Sequence, residues 1–101
     1  MFVVVYSFTI IEGKENQFEL AWREMTDLIK KYEGGLGSRL HKESSGKYIA
    51  YAQWPNKELW EGFGRKLPIE SKEVSARMKD SIIESKTVYE MYVSDDRLIK
   101  E

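Results

Sequence analysis

The stretch from Gly34 to Trp60, GGLGSRLHKESSGKYIAYAQWPNKELW, restricts the fold more than any other part of the chain. Two runs of strand-forming residues, Leu36 to Lys42 and Lys47 to Trp54, flank Ser44-Ser45-Gly46. Turn residues between β-formers specify an antiparallel hairpin. Pro55 stops the pairing, because proline has no N–H to give to a ladder, and Asn56 is a suitable N-cap for a helix from Lys57 to about Gly64. The second strand of the hairpin carries apolar groups on both faces: Tyr48, Ala50, Ala52 and Trp54 on one, Ile49 and Tyr51 on the other. A hairpin of that kind has to be covered on both sides.

The flanking segments supply the cover. Phe2 to Ile10 is dominated by β-branched and aromatic residues, contains no breaker, and is apolar on both faces at its start, so it reads as a first strand. Glu12-Gly13-Lys14 turns the chain into a long helix in which Phe18, Trp22, Met25, Leu28 or Ile29, and Tyr32 share one stripe. Gly34-Gly35 ends that helix, since glycine tolerates the left-handed conformation of a helix terminus. After Leu67-Pro68, Glu70 to Ser81 reads as a second major helix with a thin apolar face of Val74, Ala76 and Met78. Thr87 to Val93 alternates as a last strand, and Ser94 to Glu101 is a tail whose Leu98-Ile99 is placed to dock on a neighbour.

The order β, α, β, β, α, β predicts an α+β fold of the ferredoxin-like kind, a four-stranded antiparallel sheet with helices on one face. Residues 1–101 form a single domain, with its core in 2–93. Helices bury one sheet face only. The apolar groups on the other predict a homodimer, in which a second copy covers it.

The balance of 16 basic and 17 acidic residues, a formal charge of −1, offers no field for nucleic acid or an anionic membrane, so neither is an expected partner. The apolar start MFVVVYSFTI lacks a basic flank and is too short to span a bilayer. With no cysteine there is no disulfide, thiolate nucleophile or sulfur-held metal, which suits a cytoplasmic setting. One histidine and no D-x-D or H-x-x-E spacing make a metal site improbable. GGLG precedes a strand rather than a helix, so it is no phosphate loop, and there is no G-x-S-x-G elbow for a serine hydrolase.

Candidate chemistry is therefore sparse. Arg39 and the only histidine, His41, are two residues apart and share a strand face, opposite Leu36, Ser38 and Leu40. They are either a solvated edge or the polar end of a pocket, where an imidazole beside a fixed cation suits an anionic or phenolic ligand. Three Trp, six Tyr and four Phe are core filling or the walls of a cavity for a flat ligand. The candidate wall residues are Tyr6, Trp22, Tyr51, Trp54, Trp60 and Phe63.

The run Phe2–Ile10, Gly13 before the first helix, and above all the hairpin with its Trp-Pro stop resemble the antibiotic biosynthesis monooxygenase domain family over roughly residues 2–93. The resemblance implies a dimeric α+β barrel. It further implies, as one possibility, oxygenation of polycyclic phenols by O₂ without metal or flavin, the substrate's carbanion being the electron source. Other members degrade haem, using an Asn, a Trp and a His. The corresponding positions here are Tyr6, Phe63 and about Glu73, which argues against haem degradation. The expectation is a cofactor-independent enzyme for a small aromatic or quinol-like compound, with His41 or Arg39 stabilising the substrate oxyanion. The alternative is a non-catalytic dimeric module that binds a small molecule or a partner.

Overall fold

The computed structural model describes residues 1–98 and has the expected order of elements. They are β1 (Phe2–Ile10), α1 (Glu15–Tyr32), β2 (Gly37–Ser44), β3 (Lys47–Trp54), α2 (Lys57–Glu61), α3 (Ser71–Ser81) and β4 (Ile82–Tyr92). The strands form one antiparallel sheet in the order β2-β3-β1-β4, the ferredoxin-like arrangement. The hairpin turn is tight because Gly46 adopts φ +73°, and its N–H donates to Glu15 on α1. Gly34, at φ +80°, closes α1 in the left-handed conformation expected there. Asn56 caps α2, its side-chain oxygen accepting from the Leu59 N–H at 2.9 Å.

Register decides which side chains meet the helices. Phe2, Val4, Tyr6, Phe8 and Ile10 of β1 share a face with Trp54, Ala52, Ala50 and Tyr48 of β3, and with Ser38, Leu40 and Lys42 of β2. Phe18 of α1 fills one end of this face, its ring 5.1 Å from both Phe8 and Tyr48. Phe2, Val4 and Trp54 form a second buried group toward α2, and Tyr6 touches both groups. Ionic contacts tie α1 to α3: Lys14 to Asp80 at 2.7 Å, and Arg77 to Glu24 as well as to Glu73 on its own helix.

The opposite face carries no helix. Val3 and Val5, Ile49 and Tyr51, and Tyr89 and Met91 align there across three strands. Tyr89 is 59% exposed and Met91 42%. The apolar second face expected from sequence is therefore present; Val3 on it is buried, Val5, Ile49 and Tyr51 are half-buried, and its β4 side stands open in the protomer.

Some boundaries differ from the sequence expectation. β4 begins at Ile82, five residues before the expected Thr87, because α3 passes into it without a loop. Its first half is polar, Glu84-Ser85-Lys86, and an edge strand open to water needs no apolar alternation. Two extra residues, Ile83 and Val88, interrupt its pairing with β1, and Glu43 likewise interrupts β2 against β3. α2 ends at Glu61, before Gly62, and so is shorter than expected. No helix among the described residues is long and apolar enough to cross a membrane. Leu98 lies beside Trp22, Arg39 and Tyr51 of its own chain, while Ile99 to Glu101 fall outside the described residues.

Candidate active site

A cavity of about 910 Å³ lies between the helix-side face of the sheet and the three helices. Its origin is in side-chain size. Across the middle of that face, register aligns Val4, Ala52 and Ser38 in one row and Thr87, Tyr6, Ala50 and Leu40 in the next. Small residues on β3 and β2 keep the floor low, and α1 and α3 cannot descend to fill it because Phe18 and Tyr48 already hold them off at one end. All three tryptophans, Trp22, Trp54 and Trp60, line the walls with Met25, Ile29, Phe63, Leu67 and Met78.

The polar feature of the interior is a pair. Trp60 donates its indole N–H to the Tyr6 hydroxyl at 2.8 Å. Burial pushes the Tyr6 pKa up, the Trp60 bond pulls against it, and the Glu90 carboxylate adds to the rise. Tyr6 therefore stays protonated at neutral pH, and its own O–H donates to no protein acceptor among the described residues. Such a group can hydrogen-bond a ligand oxygen, and holds it best when that oxygen is negative.

One wall is held by a buried carboxylate. Glu33, 6% exposed at the end of α1, accepts from the backbone N–H of Gly64 at 2.7 Å and of Lys66 at 2.9 Å. This pins the loop whose Phe63, Gly64 and Leu67 form the wall.

Of the residues singled out from sequence, Tyr6, Trp22, Trp54, Trp60 and Phe63 line this cavity. Arg39, His41 and Tyr51 do not. They pair across β2 and β3 on the face away from the helices, because the side chains of Ser38 and Leu40 occupy the cavity side of that strand. With respect to the two alternatives for the Arg39–His41 pair, neither residue supplies the polar end of this cavity. Arg39 and Tyr51 line a smaller pocket of about 360 Å³ beside Trp22, whereas the exposed His41 lines neither space. Glu73, one of the haem-site positions, is engaged with Arg77 and does not line the cavity. Among the described residues no group of three His, Cys, Asp or Glu is placed to hold a metal ion.

Sequence reasoning missed Glu33 and the Tyr6–Trp60 bond. It also missed Lys72, Ser75, Ala76 and Lys79, which lie on one stripe of α3 and line the mouth. Their three- and four-residue spacing was visible, but it resembles an ordinary solvated helix face.

The family model for antibiotic biosynthesis monooxygenases matches residues 1–66. The chain belongs to this family. The matched region includes β1, α1, the hairpin and α2, hence Tyr6 and every tryptophan. No curated protein matches the chain. Among solved structures, the chain is similar to SnoaB, a cofactor-independent oxygenase from Streptomyces nogalater, at 12% identity and TM-score 0.73 over 95% of each chain. It is also similar to a crystal structure of an antibiotic biosynthesis monooxygenase, at 12% identity and TM-score 0.72, covering 94% of this chain and 100% of that one. Rv0793 from Mycobacterium tuberculosis is 8% identical with TM-score 0.72, covering 96% and 98%. At these identities the likeness is one of fold, which extends the family's architecture through α3 and β4.

Proposed function

We propose that this chain is a cofactor-independent monooxygenase-like enzyme acting on a small aromatic or quinol-like compound held in the cavity. Family membership supports the monooxygenase-like class. The observation that carries the reading is the half-buried Tyr6 hydroxyl, fixed by Trp60 and left with its O–H free to donate a hydrogen bond inside an aromatic enclosure. A substrate with an activated methylene beside a phenol loses a proton to become an electron-rich enolate, which reduces O₂ where the neutral compound does not. The methylene then becomes a carbonyl, one oxygen atom entering carbon and the other leaving as water. The substrate supplies all four electrons. Tyr6 donates to the substrate oxygen on which negative charge builds, and its high pKa keeps it from giving the proton away. No Asp, Glu or His among the described residues lines the cavity, so the fitting substrate is one acidic enough to ionise near neutrality.

Oxygen uptake with a panel of anthrones and hydroquinones tests this. The expected result is turnover by the native chain and a fall of about 100-fold in kcat for Tyr6→Phe, the scale of losing one preorganised oxyanion donor. Absence of uptake with every panel member, or an unchanged kcat in the variant, rejects it.

The missing acid–base residue also favours a second reading, a non-catalytic dimeric module that binds a small molecule. Ligand-induced thermal stabilisation without oxygen uptake distinguishes that case. In either reading we propose a homodimer, with a second copy covering the open face that carries Val5, Tyr51, Tyr89 and Met91. The cytoplasmic setting is part of the same proposal.

A further inference from the structure

We propose that the cavity selects aromatic ligands bearing a carboxylate, with Lys72 and Lys79 of α3 receiving the acid at the mouth. This rests on the reading of the cavity as the substrate site and adds the class of substrate. The charged side chains that line the space are all of one sign, although the Glu33 carboxylate lies behind one wall and that of Glu90 acts on Tyr6. Lys30, Lys72, Lys79 and Lys86 line the space, and among the described residues no carboxylate does. On α1, α3 and β4 the acids nearest the space are already engaged: Glu24 and Glu73 with Arg77, Asp80 with Lys14, Asp27 with Lys30 at 3.6 Å, Glu84 with Lys86 at 3.3 Å and Glu90 with Lys57 at 3.8 Å. Glu58 and Glu61 of α2 and Glu70 before α3 form no ion pair among the described residues and do not line the space. Lys72 and Lys79 have no ion-pair partner among the described residues.

Their spacing matters as much as their charge. Seven residues is two helical turns, so both lie on the stripe that Ser75 and Ala76 share, over the cavity. The adjoining stripe, Ser71, Val74 and Ser81, is buried and fixes the rotation of α3. Exposed ammonium groups beside a low-dielectric, aromatic-walled space focus a positive field on its entrance. A ligand with a flat apolar body and one carboxylate satisfies both parts at once, whereas a neutral aromatic leaves the lysines unused.

The experiment compares anthracene-2-carboxylate with the neutral anthracene-2-carboxamide, reading dissociation constants from quenching of the three cavity tryptophans. The native chain is expected to bind the acid about tenfold more tightly than the amide, and the Lys72→Gln/Lys79→Gln double variant to lose most of that preference. Salt should weaken the acid's binding and not the amide's. Lys47→Gln, on the hairpin and away from the mouth, removes a charge and should leave the preference intact. Equal binding of the two probes, binding of neither, or a preference that survives in the double variant overturns the proposal. The readout needs no turnover, so it fails separately from the enzymatic reading. A neutral anthrone oxidised without acid preference refutes only the lysine role. Acid preference without oxygen uptake from any substrate refutes only the reaction.

Discussion

Replacing Glu33 by alanine should loosen one wall of the cavity without unfolding the protein. The carboxylate accepts two backbone N–H groups, from Gly64 and Lys66, and hydrogen bonds to a charged acceptor contribute about 1.5–3 kcal/mol each. Gross loss is thus about 3–6 kcal/mol. Two effects reduce it. The loop residues Gly64 to Lys66 are exposed, so released N–H groups find water, and desolvating the buried carboxylate itself costs free energy that the variant no longer bears. A net global loss of about 1–2 kcal/mol is expected in urea unfolding. The local effect should be larger, since Glu33 is the acceptor for both the Gly64 and the Lys66 amide. Hydrogen exchange of the Gly64 and Lys66 amides should accelerate by tenfold or more even where exchange proceeds by local opening, while the β1 amides should accelerate only by the factor that the global loss sets. Glu33→Gln retains an acceptor oxygen and should fall between. If both loop amides exchange at the native rate in Glu33→Ala, the carboxylate is not what holds this wall.

Other consequences are open to direct measurement. Phe18→Ala removes a fully buried ring lodged between Phe8 and Tyr48 and should cost about 3–5 kcal/mol in denaturant unfolding, a large part of the stability of a domain this size; a loss below about 1 kcal/mol would mean the site collapses freely. The Gly46 N–H, the Lys42 ammonium and the Tyr48 hydroxyl hold the Glu15 carboxyl below its ordinary pKa. The unfolded chain therefore takes up the proton first as pH falls, so this contribution is complete at pH 7 and disappears through and below the ordinary carboxylate range. The stability gap between native chain and Glu15→Gln should narrow from pH 7 to pH 3, and a constant gap would contradict the assignment. Sedimentation at micromolar concentration should give twice the 11.9 kDa chain mass, and Val5→Glu should give the monomer. A native monomer would leave the open face without its proposed cover.

The fold was largely legible because its strongest signals are local. The Ser-Ser-Gly turn, the Trp54-Pro55 stop and the glycine pair after the first helix each have one physical meaning, and together they leave few topologies. β4 was legible only in its second half, since the polar Glu84-Ser85-Lys86 run is set by an edge position that no local pattern encodes. The cavity followed from the aromatic residues but its polar members did not. Alternation places Arg39 and His41 together, yet which face they share depends on where the helices pack, and Tyr6 acquires its role only when Trp60, 54 residues away, comes to rest on it. Glu33 carries no sequence signal at all, because its partners are backbone groups.

The irregular pairing at both margins of the sheet has a consequence for how copies of this chain can come together. Glu43 disrupts one outer strand and Ile83 and Val88 the other, so neither presents a straight row of unpaired N–H and C=O groups to a passing strand. A chain with an apolar sheet surface and clean margins would be liable to stack into fibres along the hydrogen-bonding direction. Here the bulges bend both margins and work against that route, which leaves the apolar sheet surface as the place for the proposed second copy.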